Sequence, residues 1–174
     1  MKFWHLENKN TYPAGIDQLL AVWQDGTREW RDNLGEIPEG FAQWSPYEKG
    51  PHAGAIALHM AATERWWVDK GICDMTIDEN DPIIAYDLSI DLDNGIFPEP
   101  LDEPWEWYIE QLDSARKRTF ELLRQIDGPE QVIGGETNKY SVEWIIGHLV
   151  QHDSYHGGQI VMLKTMMASS FLRG

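Results

Sequence analysis

The sequence predicts an all-α fold, a four-helix bundle, and three observations predict it. Four segments of roughly 20 residues each carry apolar side chains at three- and four-residue spacing, the mark of an amphipathic helix. Glycine and proline punctuate the ends of those segments. No alternation of apolar and polar residues runs long enough to predict a sheet. With 174 residues, 42% of them hydrophobic and 25% charged, the chain has enough apolar surface to offset the entropy of folding, and it reads as one domain over residues 1–174. Disordered, collagen-like and low-complexity classes are excluded by the same composition.

The first helix is expected from about Ala14 to Leu34, where Ile16, Leu20, Trp23, Thr27, Trp30 and Leu34 form one stripe before Gly35 and Pro38. A second, from about Pro51 to Lys70, places Ala55, Leu58, His59, Ala62 and Trp66 on one face, with proline suited to its first turn and Gly71 to its stop. Pro104 opens the third, whose stripe runs through Trp105, Tyr108, Leu112, Thr119 and Ile126 to Asp127-Gly128-Pro129. Residues 130 to 140 read as a turn region. Ser141 then caps a fourth helix that runs to about Met167, with Glu143 in its first turn, where a carboxylate favours the helix dipole. Trp23, Trp30, Trp66, Trp105 and Trp144 fall at or near stripe positions and are expected in the core.

Charge is distributed unevenly. The formal net charge is −15, yet residues 71–103 alone hold ten carboxylates and no lysine or arginine, so the remainder carries only −5. Three prolines among scattered isoleucines make this stretch too irregular for a long helix and too apolar for a free tail. It is expected to be a long, partly packed loop that borders one end of the bundle and tunes access to it. So acidic a chain repels phosphate, which argues against nucleic acid and anionic membranes as partners. The single Cys73 cannot form an internal disulfide, residues 1–10 lack the pattern of a secretion signal, and no apolar run approaches the roughly 20 residues that span a bilayer. A soluble, cytoplasmic protein is the expectation.

The histidines carry the chemistry. Five of six fall in two places: His52 and His59 on the second helix, and His148, His152 and His156 on the fourth. An i,i+4 step turns the helix by about 400°, so the last three stack about 6 Å apart along one face, together with Ile145, Leu149, Gln159 and Leu163. Buried imidazoles must satisfy two ring nitrogens each, and a shared divalent metal does so economically. Two such histidines with one from a facing helix would leave a fourth position open for water or substrate. His59 is the obvious facing ligand, but His52 lies on nearly the same face and His148 competes with His156, so spacing alone leaves several triads open. Residues 152–156 also resemble the HExxH protease signature with Asp153 in place of glutamate. The 18 residues after His156 contain no further histidine or carboxylate to complete such a site, and that assignment is rejected.

Trp44-Ser45-Pro46, Leu58-His59-Met60 with Glu64 downstream, and the run from His148 through His152-Asp153-Ser154-Tyr155-His156-Gly157-Gly158-Gln159-Ile160 together resemble the DinB/YfiT-like superfamily of four-helix metalloproteins. The resemblance implies an up-down-down-up bundle, often a homodimer, with His59, His152 and His156 as ligands of a divalent metal, zinc first and nickel second. It implies an enzyme that activates a low-molecular-weight thiol for S-transfer or isomerisation, as in thiol-dependent S-transferases and a mycothiol-dependent maleylpyruvate isomerase. A metal-hydroxide hydrolase at the same site, or a non-enzymatic metal-binding and dimerising protein closed by His148 or His52, are the alternatives. Gly157 stands where many relatives carry arginine.

Around this set, His148 is read as a proton relay or a partner of a ligand imidazole, or else as a satisfied core histidine, and Gln159 as a hydrogen-bond partner of a ligand imidazole or of substrate, or else as packing at the helix interface. Trp66 and Trp67 are read as walls of a cofactor pocket. Glu64, five residues after His59, points away from the histidine face and is expected to pair with Arg65 or Arg118. Gly157-Gly158 implies either close approach of a neighbouring helix or a helix end at His156. Cys73 is not expected to be a nucleophile, because Asp74 beside it would raise its pKa.

Overall fold

The computed structural model describes residues 12–13, 15–126, 128–134 and 138–171. Among the described residues five α-helices make the architecture: α1 (Ile16–Leu34), α2 (Ala53–Arg65), α3 (Pro82–Leu88), α4 (Trp105–Leu123) and α5 (Val142–Phe171). The four long ones are those the periodicity predicts. α1 lies along α5 and α2 along α4, while α2 also touches α5. No described helix is long and apolar enough to cross a membrane.

Three local features differ from the sequence-based expectation. First, α2 does not continue as an α-helix to Lys70; it widens into a π-helical turn over Trp66–Ile72. Second, the acidic stretch holds the short helix α3. Asp81 accepts a hydrogen bond from the Ile83 amide at 3.0 Å and Pro82 fills the first turn, a start signal two residues long. Ile84 and Tyr86 bury that helix, and an Arg65–Asp81 ion pair at 2.9 Å ties its start to the end of α2. Third, the turn region forms an antiparallel hairpin, β1 (Val132–Gly134) with β2 (Lys139–Ser141), in the register Ile133 to Tyr140. Its strands are too short to show alternation. Asp127 and Gly135 lie outside the described residues.

The core has two apolar clusters. One gathers Trp30, Phe41, Leu58, Met60, Tyr108, Leu112 and Ile160; the other gathers Ile16, Leu20, Trp23, Val68, Leu123, Ile146 and Leu149. Trp144 is in neither. It is half exposed and stacks between Tyr140 and His148, which corrects its expected core position.

A polar network lies where the two clusters meet. The Arg116 guanidinium on α4 sits 4.0 Å over the Trp23 ring and donates to Glu64 on α2 at 2.9 Å, to Asp153 on α5 at 2.7 Å and to Thr27 on α1 at 2.9 Å. Trp30 also donates to Asp153, at 3.2 Å. Glu64 therefore pairs with Arg116. The expected partners are engaged elsewhere, Arg65 with Asp81 and Arg118 with Asp69 at 2.7 Å. Burial pushes the Glu64 carboxyl above its ordinary pKa against the pull of Arg116.

Helix α5 runs unbroken through Gly157-Gly158, so close approach is the correct alternative, and it belongs to Gly157 alone. A Cβ at 157 would come within 2.4 Å of the Trp30 ring, whereas one at 158 meets nothing within 4 Å. We predict that Gly157→Ala destabilises the protein by about 1–3 kcal/mol through overpacking. Gly158→Ala should be neutral or stabilising by up to about 1 kcal/mol, because helix propensity then acts without a clash. Urea unfolding of the two variants measures this, and equal effects would contradict the packing account.

Candidate metal centre

His59 projects from α2 and His152 and His156 project from α5 to one point. One ring nitrogen from each can be chosen so that all three lie within 4.8 Å of one another. Two of the rings are held from behind. The Nδ1–H of His59 donates to Asp87 Oδ1 at 2.7 Å, and the Nδ1–H of His156 donates to Gln159 Oε1 at 2.7 Å. Each bond fixes the tautomer and leaves Nε2 as a lone-pair donor. Nε2 of His59 lies 3.2 Å from Nε2 of His152. Two nitrogens bound tetrahedrally at zinc distances would lie about 3.3–3.4 Å apart. The donor set thus fits a divalent ion of borderline softness, which needs no charged ligand here.

The rings are also poised chemically. Burial first, then the neighbouring imidazoles, pushes the pKa of His152 down to about 3. Burial likewise lowers His156, to about 4, although the Gln159 acceptor opposes it. Both are neutral at pH 7, the form in which imidazole binds a metal.

Other histidines take different roles. His52 caps α2: its Nδ1 lies 3.1 Å from the Ala55 amide and 3.0 Å from the Ala42 carbonyl, and its Nε2 lies 3.0 Å from the Tyr86 hydroxyl. Both nitrogens are engaged away from the cluster, so it does not close the site. His148 stacks on Trp144 with ring centroids 5.3 Å apart, and its centroid is 6.1 Å from that of His152. Trp67 packs edge-on against Tyr140, Trp144 and His148.

A cavity of about 530 Å³ opens beside the cluster, with His59, His156 and Gln159 in its wall. Trp66 and Trp67 are not part of its lining; Pro46, Phe97, Tyr155 and Met162 are. Leu92, Gly95 and Phe97 come from the acidic stretch, which therefore supplies part of the cavity wall and, through Asp87, also touches a candidate ligand. Asp153, although next to His152, turns away into the Arg116 network, which agrees with rejecting the protease assignment. The Cys73 thiol is raised above its ordinary pKa by burial and by Asp69, not by Asp74 as expected.

A family model described as the DinB superfamily matches residues 16–160, which contain every element from α1 through the ligand-bearing part of α5. The chain belongs to the DinB superfamily. No curated protein matches it. Membership in the superfamily and the histidine cluster together fit a metal-binding role.

Asp87 and Arg116 are the residues of this region that sequence reasoning missed. The Asp81-Pro82 start signal could have phased α3 and placed Asp87 one turn past Ile83, facing α2. Nothing local marks Arg116, whose partners lie on three other helices.

Proposed function

We propose that this DinB-superfamily protein is a metal-dependent enzyme that uses His59, His152 and His156 to hold a divalent ion, zinc first, and activates a low-molecular-weight thiol for S-transfer or isomerisation. The observation that carries the reading is the convergence of three imidazoles, two of them anchored at the far nitrogen, beside a cavity. When bound, the ion supplies Lewis acidity that brings a coordinated thiol or water into its ionised form near neutral pH.

The chain's own residues do the rest. Asp87 and Gln159 hold the Nδ1 protons of His59 and His156 and so keep both rings oriented. His148, one turn before His152 and half-buried, takes up the released proton and passes it to solvent. The cavity seats the electrophile and excludes water. No carboxylate lines the cavity among the described residues, Asp87 is engaged by His59 and Asp153 by Arg116, so a carboxylate-assisted hydrolysis has no base here and proton uptake falls to His148. His52 is engaged elsewhere, which speaks against a closed, purely structural four-histidine site.

Cobalt-substituted protein tests this. Adding a simple thiol such as mercaptoethanol should produce a sulfur-to-cobalt charge-transfer band, absent in His156→Ala. A spectrum unchanged by thiol would overturn the thiol reading.

A further inference from the structure

The cavity beside the histidine cluster is unusual in what it lacks. Among the described residues that line it there is no lysine, arginine, aspartate or glutamate. The polar groups are concentrated at the inner wall, where His59, His156 and Gln159 sit, and both imidazoles and the amide oxygen are already engaged in hydrogen bonds there. Beyond them the floor is Ile56, Phe97 and Leu163. The rim is apolar but for two tyrosine hydroxyls: Tyr47, Leu92, Tyr155, Met162 and Met166 line the cavity and remain between 42% and 64% exposed. Five large apolar side chains left in water around one opening are a standing cost unless something apolar passes or rests there, and two of them are methionines, whose flexible thioethers adapt to varied shapes.

Charge points the same way. Leu92 is set between Asp91 and Asp93, and Tyr47 precedes Glu48 and Lys49, so the charges next to the rim in sequence are three carboxylates against one lysine. An anion entering would lose its hydration with no cationic side chain to receive it, and the one positive charge there, a bound ion, would have its open position taken by the thiolate of the proposed function. The volume, about 530 Å³, is that of a site for a small organic molecule.

From these observations we infer that the cavity beside His59 and His156 binds an uncharged, mainly apolar small molecule as the substrate of this centre and discriminates against anions. The inference rests on the proposed function only in taking the cavity as the route by which substrate reaches the centre. It restricts the electrophile to a neutral compound, aryl or alkyl in its body, and makes Met162 and Leu92 part of its specificity.

The test compares two fluorescent probes that share an aromatic body: neutral phenylnaphthylamine and its anionic relative anilinonaphthalene sulfonate. Each is titrated into the full chain, with and without zinc, at low salt and at about 1 M salt, where screening falls to about 3 Å and the overall charge of the protein no longer acts at a distance. The neutral probe should bind about tenfold or more tightly than the anion under both conditions. Met162→Arg, an exposed change on the rim, should weaken the neutral probe and strengthen the anion, reversing or erasing the preference. The proposal is overturned if the two probes bind equally at 1 M salt, if Met162→Arg leaves both affinities unchanged, or if neither probe binds, as when a second copy of the chain covers the rim. A probe preference that survives while zinc fails to bind would sink the metal reading and leave this one standing.

Discussion

Replacing Arg116 with methionine is expected to lower the free energy of unfolding by about 3–5 kcal/mol. The guanidinium is the hub of a network whose carboxylates are almost inaccessible, Glu64 and Asp153 each being 2% exposed. Methionine approximates the side-chain length but leaves two carboxyl groups without a cation in a desolvated place, and removal of one partner from such a network costs more than the intact network contributes. Adding Glu64→Gln and Asp153→Asn should recover part of the loss, because the stranded charges are then gone. Urea denaturation of the single and triple variants measures it. A loss below about 1 kcal/mol for the single change, in the range of an ordinary surface substitution, would contradict the network's assigned weight. Because Asp153 follows His152 directly, the same network sets the rotation of α5 about its axis and thereby the direction of a candidate ligand.

Removing the Asp87 carboxylate, as Asp87→Ala, should weaken zinc binding by about 10–100-fold. Its 2.7 Å bond to His59 Nδ1 fixes the tautomer that offers Nε2, and the negative charge makes that nitrogen a better donor. Without it His59 must find its tautomer from solvent on each encounter. Asp87→Asn retains an acceptor without the charge and should fall between the two. Asp93→Ala, an exposed change in the same acidic stretch, should leave affinity unaltered. Competition against a zinc chelator gives the three affinities. If Asp87→Ala binds within about threefold of the parent, α3 is packing and nothing more.

The legible and illegible parts of this protein divide by physical scale. The long helices announced themselves because four or five turns repeat a 3.6-residue pattern often enough to be seen, and the same period places His152 and His156 on one face whatever surrounds them. Gln159, three residues on, follows from that geometry and lies 2.7 Å from His156 Nδ1. The α3 helix has seven residues, fewer turns than a periodicity needs, and is held by packing Ile84 and Tyr86 on α2. Its N-cap was readable, but the consequence, that an acidic residue of the loop meets a histidine 28 positions earlier, was not. Arg116 was hidden for another reason. A cation within a helical stripe reads as solvated, and only the convergence of three other helices shows it to be largely shielded, its side chain 12% exposed. Trp144 erred in the opposite direction: an aromatic near a stripe reads as core, yet the start of α5 projects it beside the hairpin, where Tyr140 and His148 cover its faces. The acidic stretch changed meaning most, from a charged border of the bundle to the segment that supplies both a support for His59 and a wall of the cavity.

The most direct test of the centre is metal content by plasma mass spectrometry after zinc loading and desalting, in the parent and in His59→Ala, His152→Ala, His156→Ala and His148→Ala. The parent and His148→Ala should retain one ion per chain and each of the other three should lose it. Full retention by all three triad variants, or loss in His148→Ala alone, would contradict the assignment.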